Sequence, residues 1–168
     1  MPRPAPSFPT QQRGAVLIVA LVFLLLLTLI GISSMQNATL QEKMAGSVSL
    51  RNTTFQLAEV ALRVGENAVA KSTYALAVCT TPAACAPPTT STITTAGTSN
   101  GIAWTDAQTP TTTVTVLYGV QNIGITKDPV NFDATEGTSA QLYRITAIGI
   151  SGNARTVLES IYAKKKQQ

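Results

Sequence analysis

Residues 15–32 read AVLIVALVFLLLLTLIGI, and this stretch decides the fold. The run is apolar throughout apart from Thr28 and Gly31. A helix of this length spans roughly 27 Å at 1.5 Å per residue, which is close to the hydrocarbon thickness of a bilayer. The stretch therefore predicts a transmembrane helix, which we extend into the membrane interface to give a segment of residues 15–35.

The segment that precedes this run, residues 1–14, has a different composition. It contains Arg3 and Arg13, four prolines and no acidic residue, and it ends in Gly14. A secretory signal peptide would have a shorter apolar region followed by an Ala-x-Ala-like cleavage site, and no clear site follows here. The two arginines favour a cytoplasmic N-terminus, so the rest of the chain is predicted to lie across the membrane.

The helical pattern continues beyond the apolar run, since no proline occurs between Thr10 and Thr81. Apolar residues recur at spacings of three, four and seven, which is typical of one face of an amphipathic helix. We expect this continuation over residues 36–78, with Phe55, Leu62 and Val69 as its contribution to a core. Two glycines within it favour local bending.

Three segments in the second half of the chain predict β-strands. Residues 113–120 (TVTVLYGV), 141–150 (QLYRITAIGI) and 154–163 (ARTVLESIYA) alternate or are rich in β-branched residues. Ser151, Gly152 and Asn153 predict a tight turn that joins the last two in an antiparallel hairpin. The predicted fold is therefore α+β, with a long N-terminal helix packed on a small antiparallel sheet of three or four strands in a domain of residues 79–168.

A threonine-rich stretch separates the helix from these strands. Asp106 is the only charged residue from Ser72 to Thr126, and four prolines forbid a long helix there. We expect residues 80–112 to be mostly loop, with a short strand near Ile102–Trp104. The composition suits a flexible linker best, and a glycan-bearing or adhesive surface is the alternative.

The two cysteines, Cys79 and Cys85, lie within this stretch. The chain has no histidine, so it lacks the usual ligands for a zinc site and the usual partner of a catalytic thiol. In an exported domain a local disulfide is the natural interpretation, and two free thiols are the alternative.

The remaining charge pattern indicates neither a catalytic nor a metal site. Asp128, Asn131, Asp133 and Glu136 offer oxygen ligands, but their spacing does not match an EF-hand loop, so we expect a solvated loop suited to partner contact. Carboxylate pairs have no supporting pocket signature in the sequence, and no glycine-rich phosphate loop occurs, so we expect no enzyme activity, no metal and no cofactor.

The charged residues do not suggest a nucleic-acid partner. They make up 12% of the chain, against about 25% in a typical soluble domain. The net charge of +4 comes largely from Arg3, Arg13 and the tail lysines, with no basic stripe and no interleaved aromatic residues.

Three segments carry a resemblance to a known family. Residues 12–36 (QRGAVLIVALVFLLLLTLIGISSMQ), 40–46 (LQEKMAG) and 143–165 (YRITAIGISGNARTVLESIYAKK) resemble PilX-type minor pilins of the type IV pilin family. The resemblance implies a prepilin leader, cut by prepilin peptidase between Gly14 and Ala15, and methylation of the new N-terminus. It also implies a subunit of the inner membrane with a periplasmic C-terminal domain, which then enters the pilus.

The family resemblance also implies partners. These are the other minor pilins, the major pilin, the inner-membrane assembly machinery and a PilY-type tip protein. Roles in pilus priming, twitching motility and cell adhesion follow from the same resemblance. A pseudopilin of type II secretion and a single-pass membrane-anchored periplasmic binding module are the alternatives.

Two residues depart from the pattern of major pilins. The first residue after the implied cut is usually phenylalanine, and here it is Ala15. The fifth residue after the implied cut is usually glutamate, and here it is Val19. In the family this glutamate pairs with the N-terminal amine of the subunit ahead, and an unpaired charge in apolar surroundings is costly. A subunit with Val19 therefore suits the filament tip, where no subunit lies ahead of it. Alternatively, Val19 is one more lipid-facing aliphatic residue.

Overall fold

The computed structural model describes residues 13–108, 113–127 and 139–165. Its elements are two helices, α1 (Arg13–Ala70) and α2 (Pro82–Cys85), and five strands, β1 (Gly97–Ser99), β2 (Ile102–Asp106), β3 (Val114–Thr126), β4 (Ala140–Ser151) and β5 (Ala154–Lys165). Most of the predicted leader and the acidic loop considered for calcium, residues 128–136, lie outside the described residues.

The chain divides into two compact units between Ser47 and Val48. In the first unit, α1 is the element long and apolar enough to cross a membrane. Its large apolar side chains from Val16 to Ile32 are all exposed, by 49% to 71%. The hydroxyl of Thr28 donates to the carbonyl of Leu25 at 2.8 Å, so the one hydroxyl in this stretch is satisfied within the helix.

In the second unit, the strands form one antiparallel sheet in the order β1-β2-β3-β4-β5. The predicted hairpin between β4 and β5 is confirmed: Ser151 pairs with Ala154, and Gly152 takes a positive φ of 55° in the two-residue turn. β3 is longer than predicted, because a bulge between Asn122 and Gly124 lets it continue to pair with β4.

The C-terminal part of α1 packs on one face of this sheet through a stripe of mostly small residues. The stripe recurs every three or four residues and consists of Thr54, Ala58, Ala61, Gly65 and Val69, all buried. The prediction that Phe55 lies in the core is wrong, since Phe55 is 49% exposed. Leu62 packs only at the margin, and Val69 is fully buried as expected.

The reason for the small stripe is the close approach of α1 to β4 at Gly149. A Cβ at Gly149 would lie 2.3 Å from the carbonyl oxygen of Thr54 and 2.6 Å from the amide nitrogen of Ala58. A Cβ at Gly65 would lie 2.7 Å from Cγ2 of Ile145. A phenylalanine on this helix face would hold the two backbones apart, so it lies on another face. Gly65 is therefore a site of close packing between α1 and the sheet, in addition to being a glycine that lowers the stability of a helix.

α1 ends at Ala70, eight residues before the predicted boundary at residue 78. The ammonium group of Lys164 on β5 donates to the carbonyls of Lys71 and Tyr74. A cation at this position interacts favourably with the partial negative charge of a helix C-terminus. The amphipathic pattern could not show this end, because the cation comes from a strand 90 residues away.

We expect Gly149→Ala to destabilise the second unit by about 3 kcal/mol, because the new Cβ meets helix backbone that cannot move aside. Chemical denaturation of the full chain in detergent, followed by the fluorescence of the single tryptophan, Trp104, measures this change. The control is Gly46→Ala, which has no atom within 4 Å of its Cβ and should stabilise α1 by up to about 1 kcal/mol. Equal unfolding midpoints for the two variants would contradict the packing argument.

Candidate assembly surfaces

The second face of the sheet is covered by residues 79–96, which we call the Thr-rich strap. The side chain of Ile93 is buried there in a cluster with Ile102, Trp104, Leu117 and Ile148. The prediction of a flexible linker is therefore wrong for this part of the stretch. The Thr-rich strap packs on the sheet through Ile93, although most of its side chains are exposed.

Two arginines from the sheet bind the backbone of the Thr-rich strap. Arg155 on β5 donates to the carbonyl of Ser91 at 2.7 Å and to the carbonyl of Ile93. Arg144 on β4 donates to the carbonyl of Cys85 at 2.6 Å. Burial lowers the pKa of Arg155 from its ordinary value, because desolvation disfavours its charge. Carbonyl groups of the Thr-rich strap thus replace part of the hydration that this guanidinium loses.

A glutamine provides the third attachment of the Thr-rich strap. Nε2 of Gln121 on β3 donates to the carbonyls of Ala84 and Ala86, at 2.7 and 3.1 Å. These carbonyls flank the end of α2, which begins with Thr81 as N-cap and Pro82 in its first turn. The short helix therefore directs consecutive carbonyl groups toward the sheet.

Between α1 and the Thr-rich strap, the chain runs alongside β3 at Asn122. Val78 forms a parallel bridge with Asn122, and the amide of Cys79 donates to the carbonyl of Asn122 at 2.9 Å. The side chain of Asn122 also donates to the carbonyl of Leu76 at 2.7 Å. Cys79 and Cys85 are joined as a disulfide with their Cα atoms 5.3 Å apart, which closes the turn that follows this crossing.

A groove of about 460 Å³ lies between this crossing segment and the β1–β2 hairpin. Tyr74, Val78, Asn100 and Ala103 are among its lining residues, and none of the lining side chains is charged. Burial raises the pKa of the Tyr74 phenol, and the neighbouring Tyr118 and Tyr143 add to this effect. The phenol stays neutral at physiological pH, so the groove offers apolar contact area and neutral hydrogen-bonding groups.

The residues predicted to act in processing and assembly lie on α1. Gly14 and Ala15 are in its first turn and exposed, and Val19 lies one turn further, 53% exposed. No charged side chain occurs from Ala15 to Gln41. Val19 therefore presents an aliphatic surface within an uncharged stretch of α1.

Neither a metal site nor a catalytic cluster emerges in the parts of the chain that the structure describes. No group of three or more acidic, cysteine or histidine residues converges there. The ion pair between Arg63 and Glu59 lies on the surface of α1. The ion pair between Arg144 and Glu159 includes the arginine that binds the strap. The features described above, which are the apolar part of α1, the Thr-rich strap and the groove, are surfaces suited to contact with other molecules.

A long N-terminal helix whose C-terminal part packs on a five-stranded antiparallel sheet defines a pilin-like α+β fold, and the apolar half of this helix is consistent with membrane anchoring. Residues 13–63 match the family model described as PilX N-terminal, and residues 75–164 match the one described as type IV pilus assembly protein PilX C-term. The chain belongs to the PilX family of type IV pilus assembly proteins. No curated protein and no solved structure matches it.

Membership of this family makes the chain a structural component of the pilus, and it is not an enzyme. Pilus assembly is therefore favoured over the secretion pseudopilin and the anchored binding module. Sequence reasoning missed Arg144, Arg155 and Gln121 as the residues that attach the Thr-rich strap. In the sequence, these three residues are visible only as polar positions within strands of mostly apolar residues. The alternation of polar and apolar residues does not show whether such a position faces solvent or another segment of the chain.

We expect Arg155→Ala to release the centre of the Thr-rich strap, because the variant loses two charge-assisted hydrogen bonds to strap carbonyls. The unfolding free energy should fall by about 2 kcal/mol. Amide hydrogen exchange across residues 86–96 should accelerate as well.

The matched control is Arg63→Ala, which removes an ion pair on a side chain that is 72% exposed. This control should cost less than about 0.5 kcal/mol and leave exchange in the Thr-rich strap unchanged. Identical exchange in Arg155→Ala and the parent protein would show that the guanidinium does not hold the strap.

Proposed function

We propose that the chain is a minor pilin of the type IV pilus that acts in the priming or tip complex. The observation that carries this proposal is Val19, an exposed aliphatic residue at the fifth position after the Gly14–Ala15 bond. A filament subunit that lacks a carboxylate here leaves the amine of the subunit ahead unpaired among apolar helices. Such an unpaired charge costs several kcal/mol in apolar surroundings.

The proposed sequence of events starts in the inner membrane. Prepilin peptidase cuts between Gly14 and Ala15, and the new N-terminus is methylated. The apolar part of α1 holds the subunit in the bilayer, with the sheet domain in the periplasm, until the helix moves into the filament core. There, packing between apolar helices takes the place of packing against lipid.

The sheet domain supplies the proposed contacts with other subunits. Its candidate partners are the other minor pilins, the major pilin, the inner-membrane assembly machinery and a PilY-type tip protein. In the oxidising periplasm, the Cys79–Cys85 disulfide keeps the strap turn closed. Twitching motility and adhesion would depend on the chain through its effect on pilus assembly.

The first test is the mature N-terminus of the protein isolated with pili. N-terminal sequencing should show that the mature protein starts at methylated Ala15. In the Gly14→Glu variant, the bulky charged side chain should block the cut. Gly31→Ala is the control on the same helix, because its Cβ has no atom within 4 Å, and it should be processed normally. A mature chain that begins at Met1 or Pro2 would remove the proposal.

The second test restores the carboxylate with Val19→Glu. Immunogold labelling should find the parent protein at pilus ends, whereas the variant should also appear along the shaft, since its glutamate can satisfy an amine ahead. Ile18→Glu carries the same charge one position away and should not enter the shaft. If parent and Val19→Glu label the shaft to the same extent, the tip role is wrong.

A further inference from the structure

We propose that the Thr-rich strap is a site of O-linked glycosylation, with Ser91, Thr92, Thr94 and Thr95 as the acceptor residues. These four side chains are exposed and surround the buried Ile93. The inference concerns covalent modification of the exported domain, and it does not depend on a role at the filament tip.

The hydroxyl groups of these residues differ from those on α1. The hydroxyls of Thr39, Ser47 and Thr53 bond to helix carbonyls at 2.8 to 3.0 Å. Along residues 91–95 of the described strap, no hydroxyl makes a hydrogen bond within the protein. The acceptor oxygens are therefore exposed, and their modification would break no hydrogen bond within the protein.

The backbone presents these hydroxyl groups in a fixed arrangement. The amide of Ile93 donates to the carbonyl of Thr90 at 3.1 Å, which places Ser91 and Thr92 at the corner of a turn. Arg155 binds the carbonyls of Ser91 and Ile93 from below. Since the sheet holds the backbone from one side, the side chains on the other side remain open to a transferase.

The composition of the segment favours a glycan over a charged modification. Threonine, serine and proline dominate residues 87–95, a composition typical of O-glycosylated segments. A sugar needs room around the hydroxyl and adds further hydroxyl groups to a surface that is already uncharged and hydrated. The strap has that room on the face of the sheet opposite α1.

The reaction requires an activated glycosyl donor, for which we name a lipid diphosphate-linked sugar, and a transferase. The Oγ atom of the acceptor attacks the anomeric carbon of the sugar and forms the new C–O bond. The bond from that carbon to the diphosphate breaks, and the lipid diphosphate leaves with the electron pair. A base of the transferase takes the hydroxyl proton, so no oxidant or reductant is needed.

Mass spectrometry of the mature protein from its native host tests the proposal. The intact mass should exceed the sequence mass by hexose or N-acetylhexosamine units, and peptide mapping should place them within residues 86–100. The variant with Ser91→Ala, Thr92→Val, Thr94→Val and Thr95→Val should lose the added mass. Valine keeps the shape of threonine, and none of the four side chains is buried, so the fold should be retained. An unchanged unfolding midpoint checks this.

The control variant is Ser47→Ala combined with Thr53→Ala, which removes exposed hydroxyls that bond to α1. This variant should keep the full added mass. An intact mass equal to the sequence mass in the parent protein would overturn the proposal. So would added mass that persists in the four-residue variant, or an increment that corresponds to phosphate-based groups.

Discussion

The contact on which the second unit depends is the close approach of α1 to β4 at Gly149. Helix backbone lies where a side chain at this position would stand, so neither element can give way. This distance explains why Thr54, Ala58, Ala61 and Gly65 face the sheet while Phe55 does not. Larger side chains, such as Val69 and Tyr143, fill the space only further along the helix.

The two faces of the sheet are covered in different ways. On the α1 face, small side chains and backbone pack directly against the strands. On the other face, the Thr-rich strap contributes mainly Ile93 as a buried apolar side chain and is otherwise held through its carbonyl groups. Among the described residues, Trp104 Nε1 and Arg155 Nε are buried without a partner, and both belong to the strap face. The hydrogen bonding of buried polar side-chain atoms is therefore less complete on the strap face of the sheet than on the α1 face.

The sequence predicts the features that depend on local patterns. These are the apolar run 15–32, the β4–β5 hairpin and the class of fold, and the family resemblance agrees with the matched family models. The small-residue stripe was missed, because a search for apolar periodicity gives weight to residues such as Phe55 and little to glycine, alanine and threonine. The strap was interpreted as a linker because Arg144 and Arg155, which hold it, are about 60 residues away. The roles of Gly14, Ala15 and Val19 remain predictions.

The attachment of the Thr-rich strap through carbonyl groups has an evolutionary consequence. Every residue type presents the same backbone carbonyl, so Arg155 can bind the strap whatever side chains stand at positions 91, 92, 94 and 95. Substitutions at these positions can accumulate at little cost to folding, provided that Ile93 is retained. The strap is thus a part of the surface whose chemical character can change through substitution while the sheet beneath it keeps its structure.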